Sequence, residues 1–350
     1  MAKAFDLTQW ARPEMLALAP YTSARDTFTA TEGTYTFLDA NENPNASSVN
    51  RYPDPSQLAL KKEIAALRSC AVNQLLIGNG SDEILDLLFR AFCTPNKDNV
   101  ILMPPTYGMY AVLANINGVG FKEIPLTADF QLKTTEILAA VDPNTKAIFF
   151  CSPNNPSGNL FKSSDITALL NGFDGLVVID EAYIDFTDEP SWLSELDNYP
   201  NLVVTQTLSK AFGLAGLRLG IAIAQPNIIK LLHNIKPPYN INTLSQQQAI
   251  VALSDIDKVN KQIAELLAER SRVAAYLNEL DWVKTVFPSD ANFLLMRVDD
   301  ASKRYDALLA QKVVVRIRTT QTNCENTLRI SIGTPAENNE LMAACNTISL

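Results

Sequence analysis

At 350 residues and a formal net charge of −9, the chain can bury a large core in more than one domain, and its acidic balance argues against a nucleic-acid or anionic-membrane surface. The one histidine, His233, argues against a histidine-ligated metal site or a serine–histidine triad, and we read it as structural. The five cysteines (70, 93, 151, 324, 345) are scattered without metal-type spacing and read as reduced thiols.

Residues 1–14 contain no apolar core long enough for a signal peptide, and no stretch reaches the roughly 18 apolar residues needed to span a bilayer. The expectation is a cytoplasmic protein with small-molecule substrates and no metal, nucleic-acid or membrane partner.

After some fifty irregular residues, short apolar runs alternate with helical patterns. Strands are predicted at Leu75–Ile77, Val100–Met103, Ala147–Cys151, Leu176–Ile179, Val203–Gln206 and Leu219–Ala224. Several are apolar throughout, as expected of strands covered on both faces. Ser56–Arg68 reads as a helix, with Leu60, Ile64 and Leu67 on one face. The alternation predicts an α/β fold with a mostly parallel sheet flanked by helices.

From about Asp255 a long amphipathic helix runs to about Leu280. Strands near Asn292–Val298, Val313–Ile317 and Leu328–Ile332 and a final helix follow, as in a smaller α+β domain. The expected division is 1–44 as an N-terminal segment packing on the small domain and the site, 45–255 as the large cofactor-binding domain, and 256–350 as the small one.

Ligands collect at the carboxyl ends of strands in open α/β sheets, and the unusual polar residues fall there. Gly78-Asn79-Gly80-Ser81-Asp82-Glu83 follows the first strand and opens a helix from Ile84 to Phe92. Its glycines and helix N-terminus suit an anion, although Ser81 alone also reads as an ordinary N-cap. Tyr107, in the turn Pro104–Gly108, offers a ring face to a flat heterocycle or is simply packed. Asn155, in Ser152–Gly158, offers a donor to a phenolate oxygen, though Asn-Pro is also a routine turn former. Asp180, in Asp180-Glu181-Ala182-Tyr183, would suit a protonated pyridine nitrogen and would be costly to bury unpaired.

The run Thr207-Leu208-Ser209-Lys210-Ala211-Phe212-Gly213-Leu214-Ala215-Gly216-Leu217-Arg218 is the most informative. Its lysine can condense with an aldehyde, and the hydroxyls and Arg218 can hold a phosphate. Aldehyde plus phosphate describes pyridoxal 5'-phosphate. Taken alone the run also reads as a solvated helix start.

Together these residues resemble the fold-type I pyridoxal-phosphate aminotransferases over nearly the whole chain. Tyr21-Thr22-Ser23-Ala24-Arg25, Leu38-Asp39-Ala40-Asn41-Glu42-Asn43-Pro44 and Arg51-Tyr52-Pro53-Asp54-Pro55 resemble signatures of the histidinol-phosphate aminotransferases, as does Leu328-Arg329-Ile330-Ser331-Ile332-Gly333. The resemblance implies that Lys210 bonds the cofactor aldehyde carbon and Asp180 pairs the ring nitrogen. Asn155 and Tyr183 would bond the ring oxygen, and Tyr107 would stack on the ring. Gly80, Ser81, Asp82, Ser209 and Arg218 would hold the phosphate, joined by Tyr52 from a partner subunit of a homodimer. Arg329 would bind the carboxylate of glutamate or 2-oxoglutarate, while Arg316, Tyr21 and Asn41 would serve the substrate.

Two departures stand out: Ser157 replaces the threonine of many relatives, and Arg318 lies on the same strand face as Arg316. We assign the contact to Arg316 from its spacing to Arg329. An aromatic amino-acid aminotransferase, a phosphothreonine-type decarboxylase and a non-catalytic pyridoxal-binding protein remain as alternatives.

Overall fold

A computed structural model describes residues 5–23, 35–45 and 47–348. Ala24 and Arg25 of the first N-terminal signature lie outside them. Helices α1 (Leu7–Trp10), α2 (Pro13–Leu16) and α3 (Leu58–Arg68) precede the first strand. The chain then alternates through β1 (Leu75–Asn79), α4 (Ser81–Phe92), β2 (Asn99–Leu102), α5 (Met109–Ile116), β3 (Gly120–Glu123), α6 (Thr134–Ala139), β4 (Thr145–Cys151), α7 (Ser163–Gly172) and β5 (Leu176–Asp180). Next come β6 (Leu202–Thr207), β7 (Leu219–Ala224), α8 (Pro226–Ile235), α9 (Thr243–Leu253) and α10 (Ile256–Asn278). The C-terminal part holds β8 (Val283–Val286), β9 (Phe293–Val298), α11 (Ala301–Ala310), β10 (Arg316–Ile317), β11 (Thr327–Ser331) and α12 (Pro335–Ile348).

The first seven strands form one sheet in the order β1-β7-β6-β5-β4-β2-β3, and the last four form a second in the order β10-β11-β9-β8. In the large sheet only β7 runs antiparallel to its neighbours. The carboxyl ends of β1, β2, β4, β5 and β6 therefore share one edge. The start of β7, next to Arg218, meets them there.

The unbroken apolar runs are explained by burial on both faces. Leu75 and Ile77 join one core cluster while Leu76 joins the other, and Val204 and Val203 divide in the same way. The pattern that identified six strands missed β3, an edge strand of sequence Gly-Phe-Lys-Glu without a fully buried residue, and β8. Of the predicted Val313–Ile317 strand only Arg316–Ile317 is paired.

The start of the N-terminal segment differs from expectation. Phe5, Leu7, Trp10 and Met15 cover the core under α4 and α8 of the large sheet rather than the small domain. Trp10 packs edge-on to Phe173 at 5.8 Å, and the Arg12 N–H donates to the Ala91 carbonyl at 2.8 Å. The physical reason is that these apolar side chains find a partly open hydrophobic surface beside α4.

Candidate active site

A cavity of about 460 Å³ opens where the large-sheet strands end, and the small sheet closes its far wall with Arg316, Arg318 and Arg329. Lys210 follows β6 and enters this cavity, with its Nζ 5.7 Å from the centre of the Tyr183 ring. Although Lys210 is accessible through the mouth, desolvation lowers its pKa first. Arg329 and Arg218 push the same way, and Asp180 opposes them.

Asp180 ends β5 at the buried end of the cavity, 3% exposed. Its Oδ2 accepts from the Tyr110 hydroxyl at 2.9 Å and its Oδ1 from the Ala182 N–H at 3.1 Å. Burial raises its pKa to about 6, although these hydrogen bonds pull the other way. Lysine and aspartate thus face a common space, each moved toward neutrality by removal from water.

One corner is shaped by glycines. Gly80 caps α4 with φ +80, a left-handed conformation, and a Cβ there would lie 2.6 Å from Arg218 Nη2. A Cβ on Gly220 would lie 2.3 Å from the Ser81 backbone nitrogen. Only glycine at 220 lets the β1–α4 turn lie against β7. The α4 N-terminus, Ser81, Ser209 and the Arg218 guanidinium are brought together as a result. Thr207 orders this corner, its hydroxyl bridging the Ser209 hydroxyl at 2.9 Å and the Leu219 carbonyl at 3.0 Å.

Tyr107 lines the cavity and donates to Asp82 Oδ1 at 2.9 Å. Asn155 and Tyr183 line it too, and an Arg329 Nη1–H donates to the Asn155 Oδ1. Arg329 is lowered by burial, and Arg318 falls to about 10 through burial and then the charges of Arg329 and Arg316. Arg316 and Arg318 both line the cavity, so the strand register does not choose between them.

Tyr52, Tyr21 and Asn41 stand apart from this cavity. Tyr52 is half exposed and stacks on Tyr239 at 4.5 Å, beside a second recess that includes Asn41. Tyr21 is 73% exposed. Conversely, the sequence reading did not single out Tyr110 or Gln321. Tyr110 had one signal, its position one helical turn beyond Tyr107. Gln321 had none, because a turn brings it to the cavity. Among the described residues, no cluster of metal-ligating side chains occurs and no helix is long and apolar enough to cross a membrane.

A family model, aminotransferase class I and II, matches residues 31–345. This chain belongs to that family. A histidinol-phosphate aminotransferase of Flavobacterium johnsoniae is 56% identical to this aminotransferase, over 95% of this chain and 96% of the relative. The crystal structure of the histidinol-phosphate aminotransferase from Clostridium acetobutylicum matches with a TM-score of 0.79 at 26% identity, covering 86% of this chain and 91% of that one. The Sinorhizobium meliloti histidinol-phosphate aminotransferase in complex with pyridoxal-5'-phosphate has the same fold, with a TM-score of 0.79 at 23% identity over 85% of this chain and 83% of that one.

The arginine wall supports a prediction. Losing a charge-assisted contact to an anionic substrate should raise its KM on the order of 10- to 100-fold. Steady-state kinetics of Arg316→Gln and Arg318→Gln should show this rise for the phosphorylated amine in Arg316→Gln. The larger rise in Arg318→Gln instead would transfer the contact to Arg318.

Proposed function

We propose that this aminotransferase transfers the amino group of L-histidinol phosphate to 2-oxoglutarate, giving imidazole acetol phosphate and L-glutamate in histidine biosynthesis, with pyridoxal 5'-phosphate as cofactor. The observation that carries the reading is one cavity holding a primary amine, a buried carboxylate and three guanidiniums. The close identity to a histidinol-phosphate aminotransferase along the whole chain narrows the substrate.

The residues fit the cofactor. The glycine-lined corner has the room and donors for a phosphate, and Asp180 is a buried carboxylate without an ion-pair partner at contact distance among the described residues. When bound, pyridoxal phosphate supplies an electrophilic aldehyde and a ring that accepts the electron pair of a breaking Cα–H bond.

Lys210 Nζ would bond the aldehyde carbon, and the substrate amine would replace it there. Once free, the Lys210 amine would serve as the base that takes the substrate Cα proton, a role helped by its lowered pKa. Asp180, as a carboxylate, would accept from the ring N–H and favour a protonated nitrogen there. Asn155 and Tyr183 would hold the ring oxygen, and Tyr107 would cover the ring face. Gly80, Ser81, Asp82, Ser209 and Arg218 hold the phosphate at the α4 N-terminus. Arg329 and Arg316 bind the anionic ends of the two substrates, since a guanidinium fork accepts phosphate or carboxylate.

Tyr52 faces outward, so we assign it to the phosphate of a partner subunit in a homodimer. The working division is a large cofactor-binding domain, 45–255, and a small domain, 256–350. A biosynthetic role of this kind suits the cytoplasm.

The deciding test adds L-histidinol phosphate to the yellow holoenzyme in a spectrophotometer. Loss of the lysine-linked band with appearance of a pyridoxamine-type band is expected, and 2-oxoglutarate should restore the first band while releasing glutamate. Conversion by phenylalanine or tyrosine alone would make this an aromatic aminotransferase. Release of CO2 from a phosphorylated amino acid without an oxo acid would make it a decarboxylase.

A further inference from the structure

Behind the cavity wall, a fully buried tyrosine supports Asp180 without lining the cavity itself. Tyr110 sits on α5 one turn beyond Tyr107, is 0% exposed, and gives its hydroxyl to Asp180 Oδ2 at 2.9 Å. Its ring is locked edge-on to Tyr107 at 5.6 Å and tilted against Phe149 at 5.9 Å. The two oxygens of Asp180 are thus held from two elements, Oδ2 by α5 and Oδ1 by the N–H of Ala182 just past β5.

We infer that Tyr110 is a positioning residue for the cofactor, its hydroxyl fixing the Asp180 carboxylate in the orientation and charge state that hold a protonated ring nitrogen. The inference rests on the assignment of Asp180 to that nitrogen. A phenol needing only a buried acceptor would be satisfied by any backbone carbonyl. Here it is spent on a carboxylate, the group whose charged form gains most from a donor in a site closed to water. Tyr107 lies in the turn that leads into α5 and Tyr110 in its first turn, and the edge-on packing of the two rings couples the contact to the ring face with the support of the ring-nitrogen carboxylate.

Among the other groups around Asp180, the buried Thr205 hydroxyl on β6 also favours the carboxylate, but less than Tyr110 does. Asp82 on α4 and Cys151 on β4 would oppose its charge when ionised, as would the neighbouring phenols of Tyr107 and Tyr183. Lys210 after β6 favours the carboxylate from across the cavity, but this amine is consumed in bonding the aldehyde.

The test uses pyridoxamine phosphate, which cannot bond Lys210. Its dissociation constant is measured from about pH 5 to 8 for the apo forms of the wild-type protein, Tyr110→Phe, Asp180→Asn and the double variant. Tyr110→Phe keeps the ring and removes one O–H. We expect affinity weakened on the order of 10-fold near neutral pH, with the acid-side loss of affinity moved to higher pH. The same change in the Asp180→Asn background should have little further effect.

An equal loss with and without Asp180, or an unmoved acid limb, would mean that Tyr110 only packs, and would overturn the inference. No effect of Asp180→Asn itself would remove the Asp180 assignment and the inference with it. If Tyr110→Phe lost its native melting transition, fluorinated tyrosine at position 110, a stronger donor, should move the acid limb to lower pH. An unmoved limb there would be equally fatal.

Discussion

Lys210→Ala is expected to bind pyridoxal phosphate without the visible band of the lysine-linked cofactor, and to lose turnover by roughly 10⁴-fold or more. Two functions leave with one side chain. Among the described residues no other amine lines the cavity: Arg218, Arg316, Arg318 and Arg329 do, but a guanidinium does not give up its proton at neutral pH. Without Nζ the Cα proton has no acceptor of suitable basicity. Absorbance spectra of the purified variant, and mass spectra after borohydride reduction, check the first half of the expectation. A lysine-linked chromophore surviving in Lys210→Ala would refute the assignment.

Asp180→Ala should still bind some cofactor, since the phosphate corner is built from other elements, but should transaminate on the order of 10²- to 10³-fold more slowly. The carboxylate favours a protonated ring nitrogen, and only then can the ring accept the electron pair left at Cα. Asp180→Asn removes the charge with less change in shape and should share the defect. Single-turnover kinetics with L-histidinol phosphate separate this chemical step from binding. Near-normal rates would show that a different group holds the nitrogen.

The contrast between Asp180 and its neighbour Glu181 illustrates what burial does. Both are buried carboxylates at the end of β5, and burial raises Glu181 to about 7. Glu181, however, points away from the cavity. It accepts from the Ser191 hydroxyl, the Trp192 N–H and the Gln206 amide, tying down the loop after β5. In the sequence the two stand side by side with nothing in composition to separate them. Strand alternation sends one to the ligand and the other to the loop.

Much of the architecture was legible because its signals are local. Apolar runs such as Val203-Val204 and Leu219–Ala224 identify doubly covered strands, and the helical spacing of Leu60 and Ile64 identifies α3. Edge strand β3 escaped because Phe121 and Lys122 are only partly covered, so burial left no apolar signature there. The packing of Phe5 and Trp10 on the large sheet escaped for another reason. Which apolar surface an irregular segment covers depends on what the rest of the chain leaves open.

The chemical inventory was set by the sequence itself: one lysine in a Ser-Lys run, one strand-end aspartate, a glycine-rich turn before a helix, and paired arginines near the C-terminus. These are covalent facts, and the order of strand ends follows from their spacing. Tertiary structure alone decided which of these groups meet. The reversal of β7 brings Arg218 to Gly80, the small sheet brings Arg318 as well as Arg316 to the cavity, and α5 turns the Tyr110 hydroxyl onto Asp180. Hydrogen bonds and close backbone approaches of this kind depend on distances of a few tenths of an ångström between residues far apart in the chain, 140 positions for Gly80 and Gly220 and 174 for Asn155 and Arg329. No one-dimensional pattern encodes such distances; the packing of the whole sheet does.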